Sequence, residues 1–196
     1  MADEGRVNFT NQFLIAMPGM GGETFAGAVV YLCEHTDKGA LGLVINKPID
    51  ITLKNLFEKV ELPLDREDLA AEPVYFGGPV QTERGFVLHE AMTEDETAES
   101  PYNSSLRITG GLEMTTSKDV LEALSNGAGP RKLLVTLGYT GWAAGQLEEE
   151  MGRNGWINVD AEHDIIFSTP VAQRYDKALS LLGIDIGMLS PDAGHA

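Results

Sequence analysis

Cysteine is nearly missing from this chain: Cys33 is the only one in 196 residues. A single thiol excludes an intramolecular disulfide and the thiolate clusters of zinc sites, and it fits a reducing compartment. Basic residues are also scarce, fourteen against thirty acidic ones, for a net charge of −16. Such a field repels phosphate backbones, whose neutralisation supplies most nonspecific affinity for DNA. No Lys/Arg cluster offsets it, and the nearest approach is the pair Arg131-Lys132. Direct DNA binding is therefore disfavoured; a basic protein partner is compatible with the charge, and solubility alone would also account for it. No run approaches the roughly 20 apolar residues of a membrane span. The start, Met1-Ala2-Asp3-Glu4-Gly5-Arg6, is acidic where a signal peptide would be basic. These absences point to a cytoplasmic protein with no membrane association.

What is present suits one domain, with residues 1–10 and 186–196 expected to be flexible. Strands are predicted over residues 13–16 and 28–35, the second returning as a hairpin over 41–46 that Pro48 stops. Leu53, Leu56, Phe57 and Val60 have helical spacing, with Thr52 as N-cap. Further strands are predicted at 74–76, 85–89 and 105–109. Residues 90–99 carry five acidic side chains and no basic one, and read as a solvated loop. Ser117 is expected to cap a helix carrying Val120, Leu121 and Leu124. A buried strand at 133–137 precedes a helix over 143–153. Residues 156–159 and 164–167 read as a second hairpin, and Thr169-Pro170 opens a last helix burying Val171, Tyr175, Ala178 and Leu182. The pattern lacks a steady βαβ rhythm and predicts an α+β domain.

The chemistry-bearing residues are few. In Cys33-Glu34-His35, alternate side chains share a strand face, so Cys33 and His35 point together. An imidazole near a thiol can lower its pKa. Pairing His35 with Ala40 would set Cys33 opposite Gly42 and leave space over the sulfur. A buried, inert cysteine is the competing reading, and neither a third orienting group nor an oxyanion site is evident. The turn Gly19-Met20-Gly21-Gly22 follows a strand, yet a dinucleotide fingerprint would need glycine at Thr24 and a P-loop lysine at Ala28. A structural turn fits better. Residues 123–127 lack the first glycine of a serine nucleophile elbow and end a helix. Asp160, Glu162, His163 and Asp164 crowd one turn, but no His pair has ligand spacing. No metal or other cofactor is expected. Gly138, Gly141 and Trp142, with Gln146 and Glu149 on the following helix, could line a cleft for a small molecule or nucleotide. The alternative is close helix–sheet packing, against which stands the lack of an obvious structural task for Gln146. Glu149 and Arg153 have the spacing of an ion pair.

The block from Gly138-Tyr139-Thr140-Gly141-Trp142 through Gly145-Gln146-Leu147-Glu148-Glu149-Glu150 closely resembles a segment of the YqgE/AlgH family of bacterial proteins. The resemblance extends to residues 11–25, Cys33-Glu34-His35 through Asn46-Lys47-Pro48, Gly77-Gly78-Pro79-Val80, Arg84-Gly85 and residues 106–110. It also takes in Ala178-Leu179, Gly183-Ile184-Asp185 and Gly194-His195-Ala196. Gly22 stands where the family usually carries Asp, and Tyr175 where it often has Trp. The resemblance implies a single α+β domain with an irregular, barrel-like sheet flanked by helices. It implies no established enzymatic activity, although some members carry the name of a transcriptional regulator of alginate synthesis. Three functions follow as expectations: a non-enzymatic regulatory or interaction protein, a thiol-based enzyme or redox sensor using Cys33 and His35, and a small-molecule or nucleotide-binding protein.

Overall fold

The computed structural model describes residues 8–17, 22–93 and 99–183. The expectations for residues 19–21, for the centre of the acidic stretch and for the tail from 185 lie outside them. In chain order, β1 (Gln12–Ala16) and the single turn α1 (Gly22–Phe25) lead to β2 (Val29–Thr36) and β3 (Gly39–Val44). A short β4 (Pro48–Thr52) runs into α2 (Leu53–Lys59), then α3 (Glu67–Ala70), β5 (Pro73–Phe76) and the long β6 (Val80–Glu90). β7 (Ser105–Ile108) and β8 (Leu112–Thr115) precede α4 (Asp119–Ser125) and the long β9 (Leu133–Ala143). α5 (Gln146–Gly152), β10 (Trp156–Asp160), α6 (His163–Phe167) and α7 (Arg174–Ser180) follow.

The strands form one curled sheet in the order β10-β1-β2-β3-β9-β6-β8-β7, with the β4–β5 pair attached to β9. Every pairing is antiparallel except β5 with β9. β9 joins the two halves of the sheet. Its first part pairs with β6, and its last four residues pair with β3. Gly138 sits at that junction with φ +80, where a Cβ would lie 2.4 Å from the carbonyl oxygen of Gly78. Only glycine combines this left-handed backbone with so close an approach.

One face of the sheet buries Phe13, Ile15, Tyr31, Cys33, Leu43 and Leu88 against Ile165, Ile166, Ala178 and Leu179 of α6 and α7. The opposite face divides in two. Leu14, Val30, Leu32, Trp142 and Trp156 pack with Leu147 of α5, while Val74, Val87 and Val135 pack under α2, α3 and α4. Phe9 is buried although it falls among the first ten residues expected to be loose.

Several local expectations hold. Thr52 caps α2 in a reciprocal box with Asn55, satisfying amides that would otherwise be orphaned. His35 pairs with Ala40. Others are corrected. Residues 164–167 form a helix, not the return strand of a hairpin, because β10 pairs with β1 instead and Ile165 and Ile166 turn onto the core face. β3 ends at Val44, ahead of Pro48 as expected, but Pro48 itself opens a further strand, β4. The Ser117 hydroxyl binds the Ser104 amide and Asp119 rather than capping α4. A 3-10 turn at Val171–Gln173 intervenes before α7, whose buried residues are Arg174, Ala178 and Leu179.

Candidate functional site

Cys33 does not lie opposite Gly42. The β2–β3 register pairs Leu32 with Gly42 and then Glu34 with Leu41, so Cys33 is the extra residue of a β-bulge. One extra residue reverses the alternation of faces beyond it. Cys33 consequently packs in the α7-side core with Tyr31 and Phe13. His35 stacks on Phe9 from the other side, with ring centroids 5.4 Å apart. The space foreseen at Gly42 is filled, since a Cβ there would meet Val30 Cγ1 at 2.5 Å. The Cys33 thiol donates to the Tyr31 carbonyl at 3.7 Å. Burial, and secondarily the charge of Glu34, pushes that thiol well above its ordinary range. The Phe9 amide donates to His35 Nδ1 at 3.0 Å, which places the ring proton on Nε2, 3.1 Å from Glu148 Oε1. The imidazole therefore holds the N-terminal stretch and α5, not the sulfur.

The block from Gly138 to Glu149 does not form a single cleft. Gly138 is packed beneath Gly78. Gln146 has a structural task after all: its Oε1 accepts from the Ala143 amide at 2.9 Å, and its Nε2 donates to Glu150 Oε2 at 2.9 Å. The same Glu150 carboxylate accepts from the indoles of Trp142 at 3.1 Å and Trp156 at 2.9 Å. Glu149 is exposed and pairs with Arg153 at i, i+4. α5 is thus fastened by one carboxylate that collects two tryptophans and an amide. Asp160, Glu162, His163 and Asp164 divide between the end of β10 and α6, and His163 Nε2 lies 3.2 Å from Asn11 Oδ1. Among the described residues no group of three His, Cys, Asp or Glu is placed to hold a metal.

Gly141 and Trp142 do line a groove. It has a volume of about 440 Å³ and is walled by Glu34, Thr36, Lys38, Gly39, Ala40, Leu41, Val80 and Tyr139. All of these come from β2, β3, β6, β9 and the β2–β3 turn. Among the described residues no helix lines it. The half-buried Leu41 and Tyr139 continue the α7-side core out to the surface. At Gly141 a Cβ would stand 3.2 Å from the Tyr139 ring, so the missing side chain lets that ring lie across the groove floor.

A second cluster escaped the sequence reading. Adjacent strands set His89, Glu113 and Arg107 in one row, with Thr115 and Ser105 in the next. Glu113 is fully buried and accepts from Arg107 Nε at 3.2 Å and from the Ser100 hydroxyl at 3.3 Å. His89, equally buried, donates from Nδ1 to the Glu90 carbonyl at 2.7 Å, so Nε2 accepts from Thr115 at 2.8 Å. Ser105 meets Thr115 at 2.7 Å. Burial lowers the His89 pKa, against the opposing pull of the Glu90 carbonyl and Glu113. Polar residues spaced by two on three neighbouring strands were the available signal, but that spacing equally describes a solvated face.

Among the described residues, a ten-stranded curled sheet with helices on both faces defines an α+β fold. The sequence profile of the family described as AlgH-like matches residues 13–187, and the chain belongs to that family. A UPF0301 protein of Polaromonas is 66% identical over 99% of this chain and 98% of its own length. Another from Ralstonia nicotianae is 63% identical over 97% and 96%. The solution structure of the AlgH protein from Pseudomonas aeruginosa is 42% identical, covers 97% of both chains and superposes with a TM-score of 0.76. A crystal structure from Corynebacterium diphtheriae, 20% identical over 87% of this chain and 85% of its own, shares the fold with a TM-score of 0.66.

Proposed function

We propose that this protein is a non-enzymatic regulatory or interaction protein. Its docking surface is the open groove over β2, β3, β9 and β6, and its occupant is a segment of a partner protein carrying basic side chains. The groove carries this reading: a half-buried apolar floor, Leu41, Val80 and Tyr139, that no helix among the described residues covers. Small-molecule sites enclose most of their ligand, whereas this surface is broad and formed by strands and the β2–β3 turn. The net charge of −16 favours a basic partner and speeds its encounter. It also disfavours direct contact with DNA. The lone buried thiol fits a reducing compartment, so the partner is sought in the cytoplasm. Among the described residues no helix is long and apolar enough to cross a membrane. A thiol-centred reaction has no support in this geometry, because the bulge separates Cys33 from His35.

In-cell photo-crosslinking tests the proposal. A crosslinker at the exposed groove residue Thr36 should trap a partner protein, and one at the exposed Glu122 on α4 should not. Adding Thr36→Arg to a chain crosslinked from Lys38 should abolish the adduct by repelling a basic segment. Equal adducts at Thr36 and Glu122, or none at Thr36, would contradict it.

A further inference from the structure

Although the chain is strongly acidic and shows no basic cluster in sequence, the fold gathers three basic side chains around one cavity. The cavity has a volume of about 200 Å³ and lies between β5, β9, α3, α6 and the start of α7. Arg131, Lys132 and Arg174 line it, with Tyr75, Asp68 and Glu72. Arg131 and Lys132 are exposed at its mouth, and Arg174 and Tyr75 are buried within.

Arg174 is the unusual member. It is 6% exposed, and among the described residues it has no carboxylate partner. Its Nε donates to the Thr169 carbonyl at 3.0 Å and its Nη1 to the Ile45 carbonyl at 2.5 Å. Its Cζ stands 5.0 Å from the centre of the Tyr75 ring. Carbonyl dipoles and an aromatic face offset part of the cost of a buried cation, but they supply no counter-charge. Buried charges are normally paired.

The two acids in the wall do not fill that role. Asp68 is engaged by Arg66, with Nη2 to Oδ2 at 2.8 Å and Nε to Oδ1 at 3.3 Å. Glu72 is exposed and makes no ion pair among the described residues. Arg66 also donates to the carbonyls of Pro130 and Arg131, which ties down the loop that presents Arg131 and Lys132. Among the described residues Lys132 has only distant partners, the exposed Asp164 at 3.9 Å and the half-exposed Glu90 at 4.0 Å.

We propose that this cavity binds a phosphate group, as inorganic phosphate or the end of a phosphomonoester, with Arg174 inside and Arg131 and Lys132 at the mouth. A planar guanidinium supplies the directed donors a phosphate accepts, and the two outer cations balance its second charge. The volume admits one such group and excludes a duplex. The site is separate from the sheet-end groove and does not depend on the proposed protein partner.

The test titrates the full chain with inorganic phosphate, glycerol phosphate and acetate at constant ionic strength, following Tm and backbone and Arg Nε NMR shifts. Phosphate should raise Tm with saturation and move the resonances of Arg174, Tyr75 and Lys132. A response confined to inorganic phosphate or to the ester identifies the source, and either supports the site. Arg174→Gln should abolish the effect. The double variant Arg131→Ala/Lys132→Ala, altered only at exposed positions, should weaken affinity about tenfold, the loss of two charge-assisted contacts. It decides the matter should Arg174→Gln fail to fold. A flat Tm, an acetate response equal to that of phosphate, or an unchanged affinity in the double variant would make Arg174 a structural arginine and overturn the proposal.

Discussion

His35 and His89 both end strands, both are buried, and both face a glutamate, yet their surroundings assign them different work. His35 accepts a hydrogen bond from the Phe9 amide at Nδ1 and offers Nε2–H to Glu148, a side chain 43% exposed. His89 is the opposite tautomer, donating from Nδ1 to Glu90 and accepting at Nε2 from Thr115, within 3.9 Å of a fully buried Glu113. The first is a local clip between the N-terminal stretch and α5. The second belongs to a network spanning β6, β8 and β7, where each polar group depends on the next. Water can replace a missing partner in the first case and has little access in the second.

Removing the central carboxylate should break this contrast most sharply. Glu113→Ala removes the buried carboxylate that Arg107 and Ser100 share, leaving Arg107 the Thr93 carbonyl and Ser100 the Ser105 hydroxyl, and should cost about 3 kcal/mol in chemical denaturation, the low end for a broken buried pair because Arg107 is partly exposed. A loss below about 1 kcal/mol would mean the network contributes little beyond packing.

A smaller, pH-confined effect should come from His89→Gln. Burial holds the folded-state pKa of His89 below its unfolded value of about 6.5. The unfolded chain therefore binds more protons, and the stability His89 contributes is complete above that pH and lost as pH falls. The variant should flatten the decline that sets in below about pH 6.5, leaving the slope from His163, whose pKa burial also lowers. An unchanged slope would contradict the assignment.

The smallest effect belongs to the clip. Glu148→Gln keeps an acceptor for His35 at a half-exposed site, and should change stability by no more than about 0.5 kcal/mol. A loss as large as that of Glu113→Ala would erase the distinction between the two histidines.

The sequence made some of this legible and hid the rest for identifiable reasons. Thr52 as a cap and the His35–Ala40 register were readable because each depends on neighbouring residues alone. β8 was missed because Glu113 reads as a surface residue until Arg107 and His89 arrive from other strands. β9 runs on through Gly138 and Gly141, glycines that suggest a turn but in fact admit Gly78 and the Tyr139 ring. Gln146 appeared free because its partners, the Ala143 amide and Glu150, are set only when α5 docks. Of the five suggested ligand-binding residues, Gly141 and Trp142 line the groove, while Gly138, Gln146 and Glu149 are engaged elsewhere. The bulge at Cys33 left no trace in composition, since one extra residue looks like any other strand position.

That bulge underlies the choice of binding over thiol chemistry, and the ionisation of Cys33 in the folded protein tests it most directly. Alkylation by iodoacetamide, followed against pH under native conditions, should be negligible through neutral pH and indifferent to His35→Gln. An inflection at or below the free-cysteine value of about 8.5, displaced when His35 is replaced, would show a working thiol–imidazole pair and contradict this account.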